Sequence, residues 1–379
     1  MRIGLVCPYN YYRPGGVQVC VREIANELKS RGHYVRVIAP KPRRLPAETD
    51  PDVILLGGSA ELNTPFSTKA DVGMSSSNEK VDALLAAESF DVMHFHEPGL
   101  PVFGLQLMSR SRVANVATMH ATLPDGMVSK SFEKIMSPVA KYIESHAQVH
   151  TAVSAVARDA ALVYSPQAEL EIVPNGIRLS QYQPTKSFKK PHNKVKKIVY
   201  VGRLERRKGV KYLLDAYAEL RESHDNVELI IAGDGDLRSN LVARVKKYDI
   251  PDVSFVGFVS EEEKVRLMQT ADLYCSPAMY GESFGIVLLE AMAAGCVVVA
   301  GNNPGYASVM TGRGRLSLVS SENTTDFAQR LELMLYDQEV RELWLKWATE
   351  YVKQFDYSNV VDLYEKTYKR AIKKYKQLS

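Results

Sequence analysis

Short runs rich in β-branched residues alternate with longer stretches of helical period along nearly the whole sequence. That alternation restricts the chain to parallel sheets covered by helices on both faces. Residues 2–7, 34–39, 52–56, 91–95, 115–119 and 148–153 read as strands. Residues 17–31 place Val17, Val21, Ile24 and Leu28 on one helical face, and 130–146 keep a helical period too. A doubly wound, Rossmann-like domain is expected over residues 1–180. The pattern then breaks in LSQYQPTKSFKKPHNKVKK, 179–197, which has two prolines, several lysines and no apolar period. Residues 181–196 therefore read as a solvated linker and not as a nucleic-acid patch. Strands resume at 197–201, 227–232, 253–256, 272–276 and 296–300, with helices at 208–221 and 261–270, so a second α/β domain is expected over 197–356. From 357 to about 376, Val361, Tyr364, Tyr368, Ala371 and Tyr375 form an apolar stripe opposite lysines. This is either a docking helix or a basic amphipathic helix lying on an anionic membrane.

Composition bounds the class. The 379 residues suit two domains with full cores, and 45% apolar with 24% charged residues is ordinary for a globular protein. A net charge of +4 makes no case for nucleic acid and tilts only slightly toward anionic ligands. The four cysteines, Cys7, Cys20, Cys275 and Cys296, lack C-x-x-C spacing and sit in apolar runs, as expected of a reduced, cytoplasmic protein. The opening MRIGLVCP reads as a strand and not as an export leader, and no apolar run is long enough to span a bilayer.

Tandem open α/β sheets are expected to face a cleft and to bind ligands at the carboxyl ends of their strands. The loop after the first strand brings Gly15 and Gly16 to a helix start, where backbone either approaches a phosphate or sugar closely or simply turns. His94, His96 and His120 end the fourth and fifth strands in HFHEP and ATMH. A metal reading is disfavoured because no matching cysteine or carboxylate cluster accompanies them. His120 suits contact with a substrate hydroxyl, or else belongs to a satisfied strand-end network.

In VGRLERRKGV, Arg203 and Lys208 lie five positions apart in one βα loop, so both can converge on a diphosphate and stand in for a divalent ion. No metal cofactor is expected. Arg206 and Arg207 are expected to be solvated. Asp234-Gly235-Asp236 has the D-x-D form of metal-dependent sugar transferases but reads better as a turn capping the next helix. The FVGFVS loop, with Gly257, offers backbone groups to a base edge. The stretch GESFGIVLLEAMAAG, 281–295, is the most informative. A helix beginning over Ser283, Phe284, Gly285 and Ile286 would present amides to a diphosphate, with Glu282 reaching a polyhydroxyl group before it and Glu290, two turns in, accepting from another diol. The alternative is an amphipathic helix with one capping and one exposed glutamate.

These motifs, together with PGGVQ and the PNG turn at 174–176, identify the chain as resembling the family 4 retaining glycosyltransferases of GT-B architecture over nearly its whole length. Within that family it is most similar to phosphatidylinositol mannosyltransferases using GDP-mannose. The resemblance implies that Arg203 and Lys208 hold the diphosphate, Glu282 the transferred sugar and Glu290 the ribose. It further implies that Gly16 approaches the phosphate, His120 meets the sugar, and the final helix, 357–379, returns to the first domain. At the acceptor end Tyr9 and Gln18 remain. Gly99, Ala121 and roughly Asp125 stand where inositol-binding members carry asparagine, threonine and lysine, and the segment 76–89 has almost no positive charge.

The reaction so implied is front-face attack by an acceptor hydroxyl with retention. The acceptor is phosphatidylinositol, another lipid or a glycan, and contact with the cytoplasmic membrane face follows if it is a lipid. Alternatives are a UDP-sugar-dependent transferase acting on a soluble or polysaccharide acceptor, a GT-B sugar-nucleotide epimerase, and a non-catalytic binding subunit.

Overall fold

The computed structural model describes residues 1–13, 15–63, 69–99, 102–122, 130–185 and 194–378, in two compact units. The first comprises Met1–Gly176 with Tyr357–Ser379, and the second Ile177–Asp356. The divide falls at Gly176, earlier than the boundary expected at 180. Ile177 and Leu179 are buried in the second unit's core, and the Leu179 N–H donates to the Asp356 carboxylate at 3.2 Å. Part of the expected linker, 186–193, lies outside the described residues.

Unit 1 is built on a seven-stranded parallel sheet. Its strands are β1 (Arg2–Val6), β2 (Tyr34–Pro40), β3 (Val53–Leu56), β6 (Val92–His96), β7 (Ala114–Met119), β8 (Val149–Ala152) and β9 (Leu170–Ile172), in the order β3-β2-β1-β6-β7-β8-β9. A separate antiparallel ribbon pairs β4 (Ser59–Asn63) with β5 (Lys69–Gly73). Strand alternation sorts the core into two layers. Ile3, Leu5, Val35 and Val37 face the helices Gly16–Ser30 and Tyr357–Leu378, while Val6, Ile38, Met93 and Phe95 face the other side.

The C-terminal helix Tyr357–Leu378 belongs to unit 1, as the resemblance implies. Its stripe of Val360, Val361, Tyr364, Tyr368 and Ala371 is buried in the first of those layers, so the apolar face is used within the fold and is not left for a membrane. Arg31 pairs with Asp362 at 2.6 Å and His33 meets Glu365 at 2.7 Å, which pins the helix beside the end of Gly16–Ser30. Among the described residues no helix is long and apolar enough to cross a membrane.

Unit 2 repeats the plan with β10 (Lys196–Val201), β11 (Val227–Ala232), β12 (Val253–Gly257), β13 (Leu273–Ser276), β14 (Val297–Gly301) and β15 (Leu318–Val319), ordered β12-β11-β10-β13-β14-β15 and all parallel. In each sheet the winding direction reverses once, between β1 and β6 and between β10 and β13. Helices leave opposite faces there, and the loops at the strand carboxyl ends splay apart. Those two switch points position the residues described next.

The Tyr368 side chain is fully buried and its hydroxyl lies 2.8 Å from His94 Nδ1. Tyr368→Ala is expected to destabilise unit 1 by about 3–5 kcal/mol, the usual cost of an emptied aromatic site. Tyr368→Phe, which removes only the hydroxyl, should cost about 1–3 kcal/mol by leaving a buried ring nitrogen without that partner. Urea midpoints of the two variants check the ranking.

Candidate active site

At the unit 2 switch point the chain after β10 turns through Gly202, Arg203 and a single 3-10 turn, Arg206–Lys208, before the helix Val210–Ser223. Gly209 links them at φ 68, and a side chain there would run into the carbonyl of Pro277 in the loop after β13. The two loops are joined by one carboxylate. Glu282 Oε1 accepts from Lys208 Nζ and from Arg207 Nη1, each at 2.7 Å. Burial pushes the Glu282 carboxyl up, but Lys208 and Arg207 together outweigh it and hold it below the ordinary value.

Arg207 is buried, contrary to the expectation that it is solvated. It also donates from Nε to Glu205 Oε2 at 3.1 Å and from Nη1 to the Gly281 carbonyl at 3.3 Å. Burial lowers its guanidinium pKa while Glu282 and Glu205 raise it, and the anions win. Arg203 reaches the same group from outside. It pairs with Glu205 at 2.7 Å and its side chain is 53% exposed, leaving much of the guanidinium to solvent.

The helix after Glu282 starts later than the sequence suggests. It spans Ile286–Ala293, with Ser283 and Phe284 in a bend and Gly285 at φ 107 in the cap position, where a side chain would press on the Tyr306 ring. A left-handed residue cannot continue a helix, so the four amides expected from Ser283 to Ile286 do not form one helical turn. Phe284 is buried and meets Phe355 edge-on at 5.9 Å between ring centroids, so its side chain packs the core.

Glu290 lies on the second turn of this helix, buried, with partners of its own. Its Oε1 accepts from the Tyr182 hydroxyl at 2.8 Å, and Lys264 Nζ lies 3.0 Å from Oε2. Neither partner stood out in the sequence, because Tyr182 comes from the presumed linker and Lys264 from a charge-rich helix face. Gly257 ends β12 at φ 75 with open space around its α-carbon, and Phe258 beside it is 84% exposed. The turn expected at Asp234-Gly235-Asp236 falls one residue later, over 235–238, where the Arg238 N–H donates to the Gly235 carbonyl at 3.0 Å, and it does not cap the next helix with a side chain. Leu237 holds the cap position without a side-chain bond, and Asp234 Oδ1 instead accepts from the Gly235 N–H at 2.8 Å.

The unit 1 switch point is built differently. Gly16 opens the helix Gly16–Ser30, and a side chain on it would meet nothing within 4 Å. Gly15, in extended backbone, lies against the Gln18 side-chain amide, which a side chain there would have to displace. Gln18 is buried, with Nε2 at 3.4 Å from the Asn10 carbonyl, and Tyr9 forms an isolated bridge with Val72. Burial, with Glu97 nearby, pushes the Tyr9 phenol up. Gly99 faces Ile143 and Val139, and Asp125 lies outside the described residues.

His120 is buried at the end of β7, its Nε2 at 2.8 Å from His96 Nδ1. His94 extends the row, its ring centroid 4.1 Å from that of His96, and it bonds Thr118 and Tyr368. Burial drives His94 and His120 down to about 3 and His96 well below its ordinary value. All three imidazoles are thus neutral donors and acceptors near neutral pH. Among the described residues, one group has donor atoms close enough to suggest a metal, Cys20 with His96 and His120, within 4.8 Å of one another. Two of its members are already hydrogen-bonded together.

Within unit 2, then, the structure unites Glu282, Lys208 and the unanticipated Arg207, places Arg203 alongside them through Glu205, and gives Glu290 a separate pair of partners. Within unit 1 Tyr9 follows the carboxyl end of β1, Gly16 and Gln18 open the helix after it, and His120 follows the carboxyl end of β7.

The family model for glycosyltransferase family 4 matches residues 14–181, and that for glycosyl transferases group 1 matches residues 183–351. A phosphatidyl-myo-inositol mannosyltransferase of Mycobacterium leprae is 32% identical over 97% of this chain and 96% of its own. That of Mycolicibacterium smegmatis is 32% identical over 95% and 91%. Among solved structures, Anabaena HepE in complex with UDP and glucose superposes with a TM-score of 0.75 at 19% identity, covering 97% of this chain and 99% of the other. WaaG, a glycosyltransferase involved in lipopolysaccharide biosynthesis, gives 0.68 at 19% over 97% and 98%.

The histidines generate a pH prediction. Their folded pKa values lie below the ordinary 6.5, so the unfolded chain takes up protons that the folded unit refuses. The stability they contribute is full above about pH 6.5 and is lost as pH falls toward about 3. Ring-proton NMR signals of His94, His96 and His120 should not titrate between about pH 8 and about pH 5. The urea midpoint of unit 1 should fall steadily below about pH 6.5.

Proposed function

Because the chain belongs to the GT-B glycosyltransferases that join a family 4 domain to a group 1 domain, we infer that it transfers mannose from GDP-mannose to a hydroxyl of phosphatidylinositol, with retention. The donor and acceptor are supported by the full-length likeness to enzymes named as phosphatidyl-myo-inositol mannosyltransferases. The transfer chemistry is supported by a single geometric observation, the Glu282 carboxylate held between Lys208 and Arg207 at a sheet switch point.

That arrangement suits a sugar diphosphate. Lys208, Arg207 and the half-exposed Arg203 meet the charge that develops on the departing phosphate oxygen, in place of a divalent metal. Glu282, kept ionised by two cations, accepts hydroxyls of the transferred sugar, and its pairing with them makes it a poor nucleophile. A double displacement would need a free carboxylate beneath the ring. In the front-face alternative the acceptor attacks from the side of the leaving group, and the leaving phosphate takes the acceptor's proton. Glu290 receives the ribose diol, with Tyr182 and Lys264 orienting it, and the exposed Phe258 ring offers a stacking face for the base. Within unit 1, His120, Tyr9 and Gln18 offer neutral hydrogen-bonding groups suited to hydroxyls of a sugar or acceptor. A lipid acceptor would place the reaction at the cytoplasmic membrane surface, with the chain bound peripherally.

The test is turnover with labelled GDP-mannose or UDP-glucose, with and without vesicles containing phosphatidylinositol. Mannosylated lipid of retained anomeric configuration is expected from GDP-mannose, and transfer from UDP-glucose alone would refute the donor. Lys208→Ala should lower kcat/KM at least about 100-fold, or about 2.7 kcal/mol of transition-state stabilisation, and a chelator should leave the wild-type rate unchanged.

A further inference from the structure

Glu97 follows β6 with φ 45, a left-handed conformation, and the next residue is Pro98. Residues with a β-carbon avoid that region, and the residue before a proline is driven toward extended backbone. Glycine or asparagine would occupy the position with less strain, yet the chain carries a glutamate there. The Glu97 N–H still donates to the Thr118 carbonyl at 2.9 Å, so the β6–β7 ladder runs one residue past the strand and the turn is made on a fixed frame. The turn directs the side chain. Glu97 is only 6% exposed, and its Oε1 accepts the N–H of His120 and, at 3.2 Å, the N–H of Ala121.

The geometry points to Glu97 as a positioning residue for His120, a strained and buried carboxylate that clamps the two consecutive amides opening the segment after β7. This rests on the reading of His120 as the group that meets the sugar. Strained conformations persist where the surroundings over-determine them, and they gather at functional sites. Here the surroundings are the strand ladder on one side and two amides on the other, and buried amides require acceptors. Burial pushes the Glu97 carboxyl above its ordinary value and the two amide bonds only partly pull it back, and a carboxyl oxygen accepts from amides in either protonation state. His120 is then fixed twice, through its main chain by Glu97 and through its ring by His96. A histidine held at both ends has little freedom to turn, as a group that must meet one hydroxyl requires.

Three full-length variants separate position from strain. Glu97→Gln retains a carbonyl oxygen able to accept both amides, Glu97→Ala removes the acceptor and keeps the strained backbone, and Glu97→Gly removes both. Transfer kcat should fall at least about 30-fold in the alanine and glycine variants, with donor KM within about twofold of wild type, and stay within about fivefold in the glutamine variant. Hydrogen exchange at the His120 and Ala121 amides should quicken at least about tenfold in the alanine and glycine variants but not in the glutamine variant. Turnover at the wild-type rate in Glu97→Ala, restored turnover in Glu97→Gly, or unchanged exchange at both amides in Glu97→Ala would overturn the assignment. If the wild-type chain transfers no sugar at all, the glycosyl-transfer reading falls, and the exchange measurement still decides the clamp.

Discussion

A carboxylate that is buried yet kept ionised by two cations is the interaction around which the unit 2 site is organised. Glu282 joins loops that leave β10 and β13 on either side of the sheet's switch point, and its partners Lys208 and Arg207 come from one 3-10 turn. The neighbourhood is shaped to allow it. Gly209 cannot carry a side chain because of the Pro277 carbonyl, and Gly305 cannot because of the Glu282 carbonyl. Taking three charged groups out of water is a weak source of stability, and replacing such clusters with apolar residues often stabilises a protein. Their presence is better explained by what they hold ready, a fixed patch of positive charge with one anion already oriented inside it.

Unit 1 has the opposite electrostatic character at its own switch point. Burial keeps His94, His96 and His120 neutral, and Gln18 and Tyr9 add uncharged polar groups. Neutral groups that both donate and accept suit polyhydroxyl ligands, because each hydroxyl can be matched in either sense without importing a charge that must be desolvated. One unit thus presents fixed charge and the other, apart from the Glu97 carboxyl held behind His120, a network of neutral hydrogen bonds.

Most of the architecture was legible because it rests on periodicity. Every strand read from the sequence was found within a residue or two, since a strand buried on both faces must be a short apolar run. The omissions were elements that escape that rule. The β4–β5 ribbon is polar along SAELN and KADVG, and β9 and β15 span only three and two residues. At the site, residue types and spacing marked Glu282, Lys208, Arg203 and Glu290. They did not mark Arg207, because a run of RRK shows no period by which to tell an inward side chain from an outward one. Nor did they reveal that Gly285 takes φ 107 and delays the helix to Ile286. Glu97 was hidden for a similar reason, its role resting on one left-handed dihedral that no pattern of residue types encodes.

Charge counting adds a constraint on the proposed chemistry. Arg203, Arg207 and Lys208 oppose Glu205 and Glu282, so the cluster is left with a single unit of positive charge before any ligand arrives. A sugar diphosphate brings a negative charge on each phosphate, and bond cleavage adds a further one to the departing oxygen. The partial positive charge of the helix beginning at Ile286 is only about half a unit and falls off within the first turn. The fixed charges therefore cannot neutralise the product by themselves. If the acceptor's proton passes to the departing oxygen as the glycosidic bond forms, the diphosphate leaves with no more charge than it brought, and the cluster needs to stabilise only the transient excess. Front-face transfer supplies that proton at the oxygen where the charge develops, since the nucleophile and the leaving group share one side of the sugar.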